Sequence, residues 1–337
     1  MIADGMNSSP TEPANAVITS RSSDRHVTFL SPLLLAPMEG VTDRTFRAAA
    51  LDLGHVGGAC TEFLRISSSP IPLHLIRREL GPVRGDVPVA VQLMSPGLDH
   101  LAETVENAER AGAAWIDLNF GCPVARVCGK GAGSALLSDP PLLARIVATA
   151  VAATELPVTA KIRAGVDDTS RLLDIVDAAA GAGAAMLTVH GRRRVDSYSD
   201  PANWGWIAAA VSRWRGRAAG PVCGNGSVET PADARRMMAE TGCDLVMIGR
   251  GAISNPFVFR EFAGLPPASA AEAAKFALGY ADAIDAGADG RHRLGRMKQL
   301  VRYYRAGGLF DGREGDRLGL LRAQDAGPIR AFFEGFL

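Results

Sequence analysis

The chain has 337 residues, 47% of them hydrophobic, and 36 basic side chains balanced by 36 acidic ones. That length suits one large barrel with a small appended domain, or two ordinary domains, and the zero net charge excludes any global electrostatic argument for nucleic acid. Five scattered cysteines with no C-x-x-C pair argue against a disulfide framework, a structural zinc site and an iron–sulfur cluster, and no apolar run approaches the ~18 residues of a membrane span. The expectation is a reduced, cytoplasmic, monomeric protein with no metal and no membrane partner.

Residues 1–30 are polar and rich in Ser, Pro, Asn and Asp. They lack the apolar core of a signal peptide, and Asp4, Glu12 and Asp24 count against a transit peptide. They read as a disordered arm.

Eight short apolar runs follow: Leu33–Pro37, Gly58–Glu62, Val89–Leu93, Trp115–Asn119, Val158–Ile162, Met186–His190, Val222–Gly224 and Leu245–Ile248. Such runs are what strands buried on both faces of a parallel sheet look like. Pro32, Pro88, Pro157 and Pro221 stand just ahead of four of them, where proline opens a strand without breaking a ladder. Helical patterns lie between the runs. Leu98–Ala111 repeats apolar residues at three- and four-residue steps and is closed by Gly112. Pro141–Ala153 follows a capping Asp139, and Thr230–Glu240 opens on Thr-Pro. Eight β/α units over about 230 residues predict a (β/α)8 TIM barrel, here residues 31–264. Leu265-Pro-Pro-Ala-Ser-Ala270 breaks the pattern, and residues 271–337 read as a small all-helical domain of two or three amphipathic segments.

The chemistry gathers where such a barrel carries its active site, at the carboxyl ends of the strands. Gln92, Asn119, Lys161 and His190 each end a different strand and converge on the mouth. Gln and Asn suit a heterocycle of alternating donors and acceptors. A lysine would stabilise an anionic reduced flavin. The last two strands run into Cys223-Gly-Asn-Gly-Ser227 and Ile248-Gly-Arg-Gly251, the loops that often hold a phosphate in this fold. There Arg250 would add a charge-assisted bond. The plainer alternative is two glycine turns without a ligand.

Cys122 closes Asp117-Leu-Asn-Phe-Gly-Cys-Pro123. It could be a nucleophile, a general acid or a core thiol, and as a thiol of pKa ~8.5 it would carry a proton near neutrality. Cys128 lies in the same loop and could be a mere neighbour. Cys60, Cys223 and Cys243 sit in or beside apolar strands and read as packing residues. Gly129-Lys-Gly-Ala-Gly133 mimics a dinucleotide fingerprint, but its spacing is wrong and no acidic residue closes the next strand. In the tail, Arg291, Lys298, Arg302 and Arg305 fall in one helical stripe, with Tyr303 and Tyr304 interleaved. This is either a solvated face or a nucleic-acid contact.

Assembled, these residues resemble the tRNA-dihydrouridine synthases from about Leu33 to the C-terminus. The resemblance rests on Ala36-Pro-Met-Glu-Gly-Val-Thr-Asp43, Asp117–Pro123, Gly131-Ala-Gly-Ser134, Lys161-Ile-Arg163, His190-Gly-Arg192 and Ile248-Gly-Arg-Gly251. Glu39-Gly-Val41 and Cys60-Thr-Glu-Phe-Leu-Arg65 are most similar to the bacterial C-type branch, which reduces uridine 16 of the D-loop. The resemblance implies an FMN-bearing barrel, NADPH or NADH as reductant, and a helical domain that binds tRNA. Pro37, Met38, Glu39, Gln92, Lys161 and His190 would attend the flavin ring, and Asn225, Gly226, Ser227, Gly249 and Arg250 its phosphate. Cys122 matches the proton donor. Arg65, Asn119, Tyr198, Arg296, Lys298 and Tyr303 match tRNA contacts, and Arg322 does so with looser spacing. The chain departs from the branch at Cys128, where Asn is usual, at Ala125-Arg126, and in the basic Arg192-Arg-Arg194. Two other functions fit parts of the pattern. A flavin barrel reducing a small pyrimidine or enone would need no tail. A non-catalytic tRNA-binding paralogue would need no Cys122.

Overall fold

A computed structural model describes residues 15–22, 24–284 and 290–337. Nine parallel strands form one sheet: β3 (Leu33–Leu35), β4 (Gly58–Cys60), β5 (Leu64–Arg65), β6 (Val89–Met94), β7 (Ile116–Phe120), β8 (Val158–Gly165), β9 (Met186–Arg193), β10 (Val222–Asn225) and β11 (Leu245–Ile248). Their neighbours follow chain order, β11 pairs with β3, and β4 pairs with β6, which closes the sheet. Eight strands make the ring and β5 is a short appendage on β6. The result is the expected (β/α)8 barrel.

Helices on the outside return the chain between strands, α1 (Arg44–Asp52), α2 (Leu73–Leu80), α3 (Leu101–Ala111), α5 (Pro140–Ala152), α6 (Leu172–Gly181), α7 (Trp204–Arg215) and α8 (Pro231–Thr241), while the single turn α4 (Ala125–Cys128) lies in the loop after β7. Their caps are the ones the sequence signals. Gly112 closes α3 in the left-handed region at φ 97°, Asp139 accepts the Leu142 N–H, and Thr230 and Asp233 form a capping box. After β11 come α9 (Arg250–Ser254), α10 (Val258–Phe262), α11 (Ala270–Ala283), α12 (Gly290–Tyr303), α13 (Glu314–Arg322) and α14 (Gly327–Glu334). Among the described residues the tail thus has four α-helices rather than two or three, and Gly307, Gly308 and Gly312, all at positive φ, separate α12 from α13.

The N-terminal reading needs correction. Residues 1–14 and 23 lie outside the described residues, but β1 (Ala16–Thr19) and β2 (His26–Phe29) form an antiparallel hairpin, not a disordered arm. Average polarity hid two short alternating stretches. Ile18 and Phe29 are fully buried against Leu34, Cys60, Trp115, Met186 and Cys223, and Phe29 meets Trp115 edge-on at 5.5 Å. The hairpin plugs the barrel interior from the end opposite the strand termini that carry the site. Burying each of these side chains is worth ~1.5–3 kcal/mol, which outweighs the weak pairing of an isolated hairpin.

Candidate active site

A cavity of ≈ 380 Å³ opens at the carboxyl ends of the strands. One wall is the β3–α1 loop with Pro37, Met38 and Glu39. Asn225 ends β10 and Gly226 and Ser227 follow it, while Gly249 and Arg250 follow β11, the neighbour of β3. Cys122, Asn119, Lys161 and His190 also line it, as do Tyr198 and, from the tail, Tyr303. The structure therefore brings fourteen of the nineteen expected site residues into one chamber.

Cys122 stands just past β7 with a nearly buried side chain. Its peptide is gripped on both sides. Asn119 Oδ1 accepts its N–H at 3.0 Å, and Ser134 donates to its carbonyl through both N–H (3.0 Å) and hydroxyl (2.9 Å). Burial pushes the Cys122 thiol above its ordinary pKa, so it keeps its proton at neutrality. Such a group can donate a proton and is a poor nucleophile. Cys128 points its sulfur at the Cys122 carbonyl and the Ser134 hydroxyl. It braces the loop and does not line the cavity. Cys60 and Cys223 are fully buried in the barrel interior, and desolvation holds their thiols far above the ordinary range.

Asn119 does not act alone. Its Nδ2 donates to Gln92 Oε1 at 2.8 Å, and Gln92 Nε2 donates to Asp117 Oδ2 at 2.7 Å. Asp117 Oδ1 accepts the Thr159 hydroxyl at 2.6 Å. Gln92 is fully buried in this relay and does not reach the cavity surface. Backbone N–H groups can only donate, so the relay has one direction. Asn119 turns its oxygen to the loop, Gln92 turns its oxygen to Asn119, and residue 117 must accept.

The His190 tautomer follows by the same logic. Asn225 Nδ2 donates to the Met247 carbonyl, so Asn225 Oδ1 faces His190 Nδ1 (2.5 Å) and Lys161 Nζ (3.3 Å) as an acceptor. His190 Nδ1 therefore carries the proton, and Nε2 accepts from Arg192 at 3.2 Å. Burial, with Lys161 and Arg163 nearby, drives the His190 pKa far below its ordinary value, and the ring is neutral. Lys161 is also pulled down, chiefly by burial and against the opposing pull of Asp117.

Two cavity cations were missed as site residues, Arg163 and Arg192, both nearly buried. Arg163 donates to the carbonyls of Gly121 and Arg193 and to the Tyr198 hydroxyl at 3.1 Å. Arg192 donates to the Asp200 carbonyl and the Ser227 hydroxyl. Arg163 and Arg250 both lie over the Tyr198 ring, at 5.4 and 5.7 Å from its centroid. With Lys161 the cavity holds four cations, against the carboxylates of Glu39 and Glu229. Among the described residues none of the four makes an ion pair. A chamber with this excess of positive charge suits an anionic ligand.

The glycine turns add a cradle. Gly226 and Ser227 both have positive φ, 114° and 54°. A Cβ on Gly226 would come within 2.9 Å of Ala202, one on Gly249 within 3.0 Å of Met38 Sδ, and one on Gly251 within 2.6 Å of the Val228 carbonyl. Gly226 and Gly251 thus leave no room for a side chain, and Gly249 lies in close contact with Met38. The excess of positive charge, the two glycine turns and the polar side chains of the chamber together fit a flavin mononucleotide.

The remaining expected residues lie elsewhere. Arg65 sits on β5 outside the cavity wall, its Nε buried without a partner. Lys298 is half-buried and Arg302 exposed on α12, while Arg322 ends α13. Arg305 falls beyond the end of α12 and so leaves the stripe, and Tyr304 is a core residue stacked on Phe276. Arg296 is 8% exposed and turned toward the barrel. As a surface contact for RNA that expectation is corrected: its guanidinium is occupied by protein acceptors.

A sequence profile described as dihydrouridine synthase (Dus) matches residues 34–301. The tRNA-dihydrouridine(16) synthase of Cupriavidus necator is 42% identical over 247 residues, 70% of this chain and 74% of that protein. The tRNA-dihydrouridine synthase B of Pseudomonas aeruginosa is 40% identical over 237 residues, 68% of each chain. The tRNA-dihydrouridine(16) synthase of Yersinia pestis is 36% identical over 284 residues, 81% of this chain and 89% of that protein. With a barrel of this topology and a lone protonated cysteine on its cationic mouth, the chain belongs to the dihydrouridine synthase family.

Proposed function

We propose that this chain reduces the C5=C6 bond of a tRNA uridine, at position 16 of the D-loop, to 5,6-dihydrouridine, with FMN as bound flavin and NADPH or NADH as reductant. The observation that carries the reading is a protonated, peptide-anchored Cys122 in the same chamber as four cations and two glycine turns. Relatives named for position 16 support the choice of uridine.

Bound FMN would supply a hydride for C6 of the uracil ring. The protein does the rest. Asn225, Gly226, Ser227, Gly249 and Arg250 would hold the phosphate. Pro37, Met38 and Glu39 would wall the ring, while Lys161 and His190 face it. Lys161 offers positive charge to an electron-rich heterocycle, and neutral His190 adds none. A base must leave its stack to reach this chamber. Tyr198 and Tyr303, 53% and 39% exposed at the mouth, offer faces on which it can rest. Cys122 then gives its proton to C5 and is reprotonated from solvent. Arg65, Asn119, Lys298 and Arg322 are the remaining contacts assigned to tRNA.

The test is direct. tRNA from a strain lacking this chain should have uridine at position 16, and purified protein with FMN and NADPH should convert it to dihydrouridine. Dihydrouridine 16 persisting in that strain would overturn the assignment, and loss at another position would correct the site.

A further inference from the structure

We propose that Arg296 is a positioning residue that fixes the cavity wall Pro37–Glu39 from the helical tail, coupling the tail to ligand binding in the barrel; the ligand arm of this inference rests on the flavin reading above.

A guanidinium has five N–H donors. Four of those of Arg296 are hydrogen-bonded within the protein, and Asp43 pairs its charge. Nε donates to the Tyr280 hydroxyl on α11 at 3.1 Å. Nη1 donates to the Gly40 carbonyl and to Gln299 Oε1 (2.8 Å). Nη2 donates to the Val41 carbonyl at 2.9 Å, and the same nitrogen forms an ion pair with Asp43 Oδ2 at 2.8 Å. Its charge is paired and its side chain is buried against the barrel, so it is not presented to a phosphate. Gln299 adds a second bond to the Gly40 carbonyl at 2.9 Å.

The gripped segment is the turn that shapes the cavity wall. Val41 and Thr42 N–H both return to the Met38 carbonyl, at 2.9 and 3.0 Å. The Thr42 hydroxyl accepts the Met38 N–H at 2.7 Å and donates to the Ala36 carbonyl at 3.1 Å. Glu62, from the next strand's end, takes the Val41 N–H at 3.0 Å. Asp43 uses its other oxygen to cap α1 through the Phe46 N–H at 2.9 Å. Met38 in turn packs on Gly249, beside Arg250. One chain of contacts thus runs from α12 through Arg296, Gly40–Val41 and Met38 to the turn that would hold a phosphate. A lysine cannot replace the planar fork, because a point charge with three donors cannot meet the five partners around it.

The test uses the full chain with Arg296→Lys and, as a milder variant, Asp43→Asn, which keeps a capping oxygen but loses the charge facing Arg296. Three quantities are read: hydrogen exchange of the Val41 and Thr42 amides in flavin-free protein, the Kd for FMN, and the salt dependence of tRNA binding. Arg296→Lys should speed the exchange and weaken FMN binding, each by about tenfold, the scale of one lost charge-assisted bond. Asp43→Asn should shift both in the same direction by less. The salt slope should not move. Unchanged exchange would overturn the clamp, and faster exchange with unchanged FMN affinity would overturn the coupling. A salt slope reduced by ~0.7–0.9 with FMN affinity intact would make Arg296 an RNA contact instead. Wild-type protein that binds no FMN would defeat the flavin reading, while the exchange measurement would still decide the clamp.

Discussion

Asn119 Oδ1 holds the backbone N–H of Cys122 at 3.0 Å, and the same oxygen takes the N–H of Gly121. The thiol's place in the cavity is therefore set by an amide three residues upstream. Replacing Cys122 by Ala should leave FMN content and NADPH oxidation unchanged and slow uridine reduction by ~10²–10⁴-fold, the usual effect of losing a general acid. Cys128→Ala should cost far less, because its sulfur touches the loop and does not line the cavity. Single-turnover reduction of tRNA by pre-reduced enzyme reads both. A larger defect in the Cys128 variant would move the proton donor to that residue.

Arg250 lies over Tyr198 with no ion-pair partner among the described residues, beside a turn packed too tightly for any residue but glycine. If it completes a phosphate cradle, Arg250→Ala should weaken FMN binding by ~1.5–3 kcal/mol, the range for a hydrogen bond to a charged group. Riboflavin lacks the phosphate, so its affinity should barely change. Equal losses for the two ligands would place Arg250 at the ring and not at the phosphate.

Most of the barrel was legible because its signal is local. Each strand is a run of apolar residues ended by Pro, Gly or one polar side chain, and each of the eight runs is found as a strand. The hairpin was not, since Ala16–Thr19 and His26–Phe29 are only four residues each and gain their stability from a barrel interior far away in sequence. Arg163 and Arg192 were legible but overlooked. They stand two residues past Lys161 and His190, and strands of period two put i and i+2 on one face. β8 and β9 extend far enough to carry them. Gln92 shows the opposite limit. Expected at a strand end, it lies inside β6, which runs on to Met94, and no sequence pattern reveals that Asp117 and Asn119 occupy both ends of its amide.

The tail's charges divide by the face they occupy. Arg296 is turned inward, whereas Lys298 and Arg302 keep their ammonium and guanidinium ends available on α12, next to Tyr303 at the cavity mouth. Lys298→Ala and Arg302→Ala should each weaken tRNA binding and reduce the log–log salt slope by ~0.7–0.9, the counterion released per phosphate contact. FMN affinity should stay at the wild-type value. Titrations at several salt concentrations decide the matter, and wild-type slopes in both variants would make the stripe a solvated face.

Asp117 gives the site a pH signature. It is fully buried, and desolvation raises its pKa from 3.8 to about 6, although hydrogen bonds from Thr159 and Gln92 and the charge of Lys161 oppose the rise. In the unfolded chain the carboxyl titrates near its ordinary value. Between the two pKa values the folded protein therefore holds a proton that the unfolded chain has released. Stability from this group falls as pH rises through that window and levels off above the folded pKa. Asp117→Asn removes the titration but keeps an oxygen to accept from Gln92, so the relay to Asn119 can persist. Urea unfolding at several pH values between 4 and 7 should then show wild type losing stability relative to Asp117→Asn as pH rises toward 6, with a constant difference above that. Parallel curves across the whole range would mean that Asp117 is ionised throughout, held so by Lys161 and its two donors.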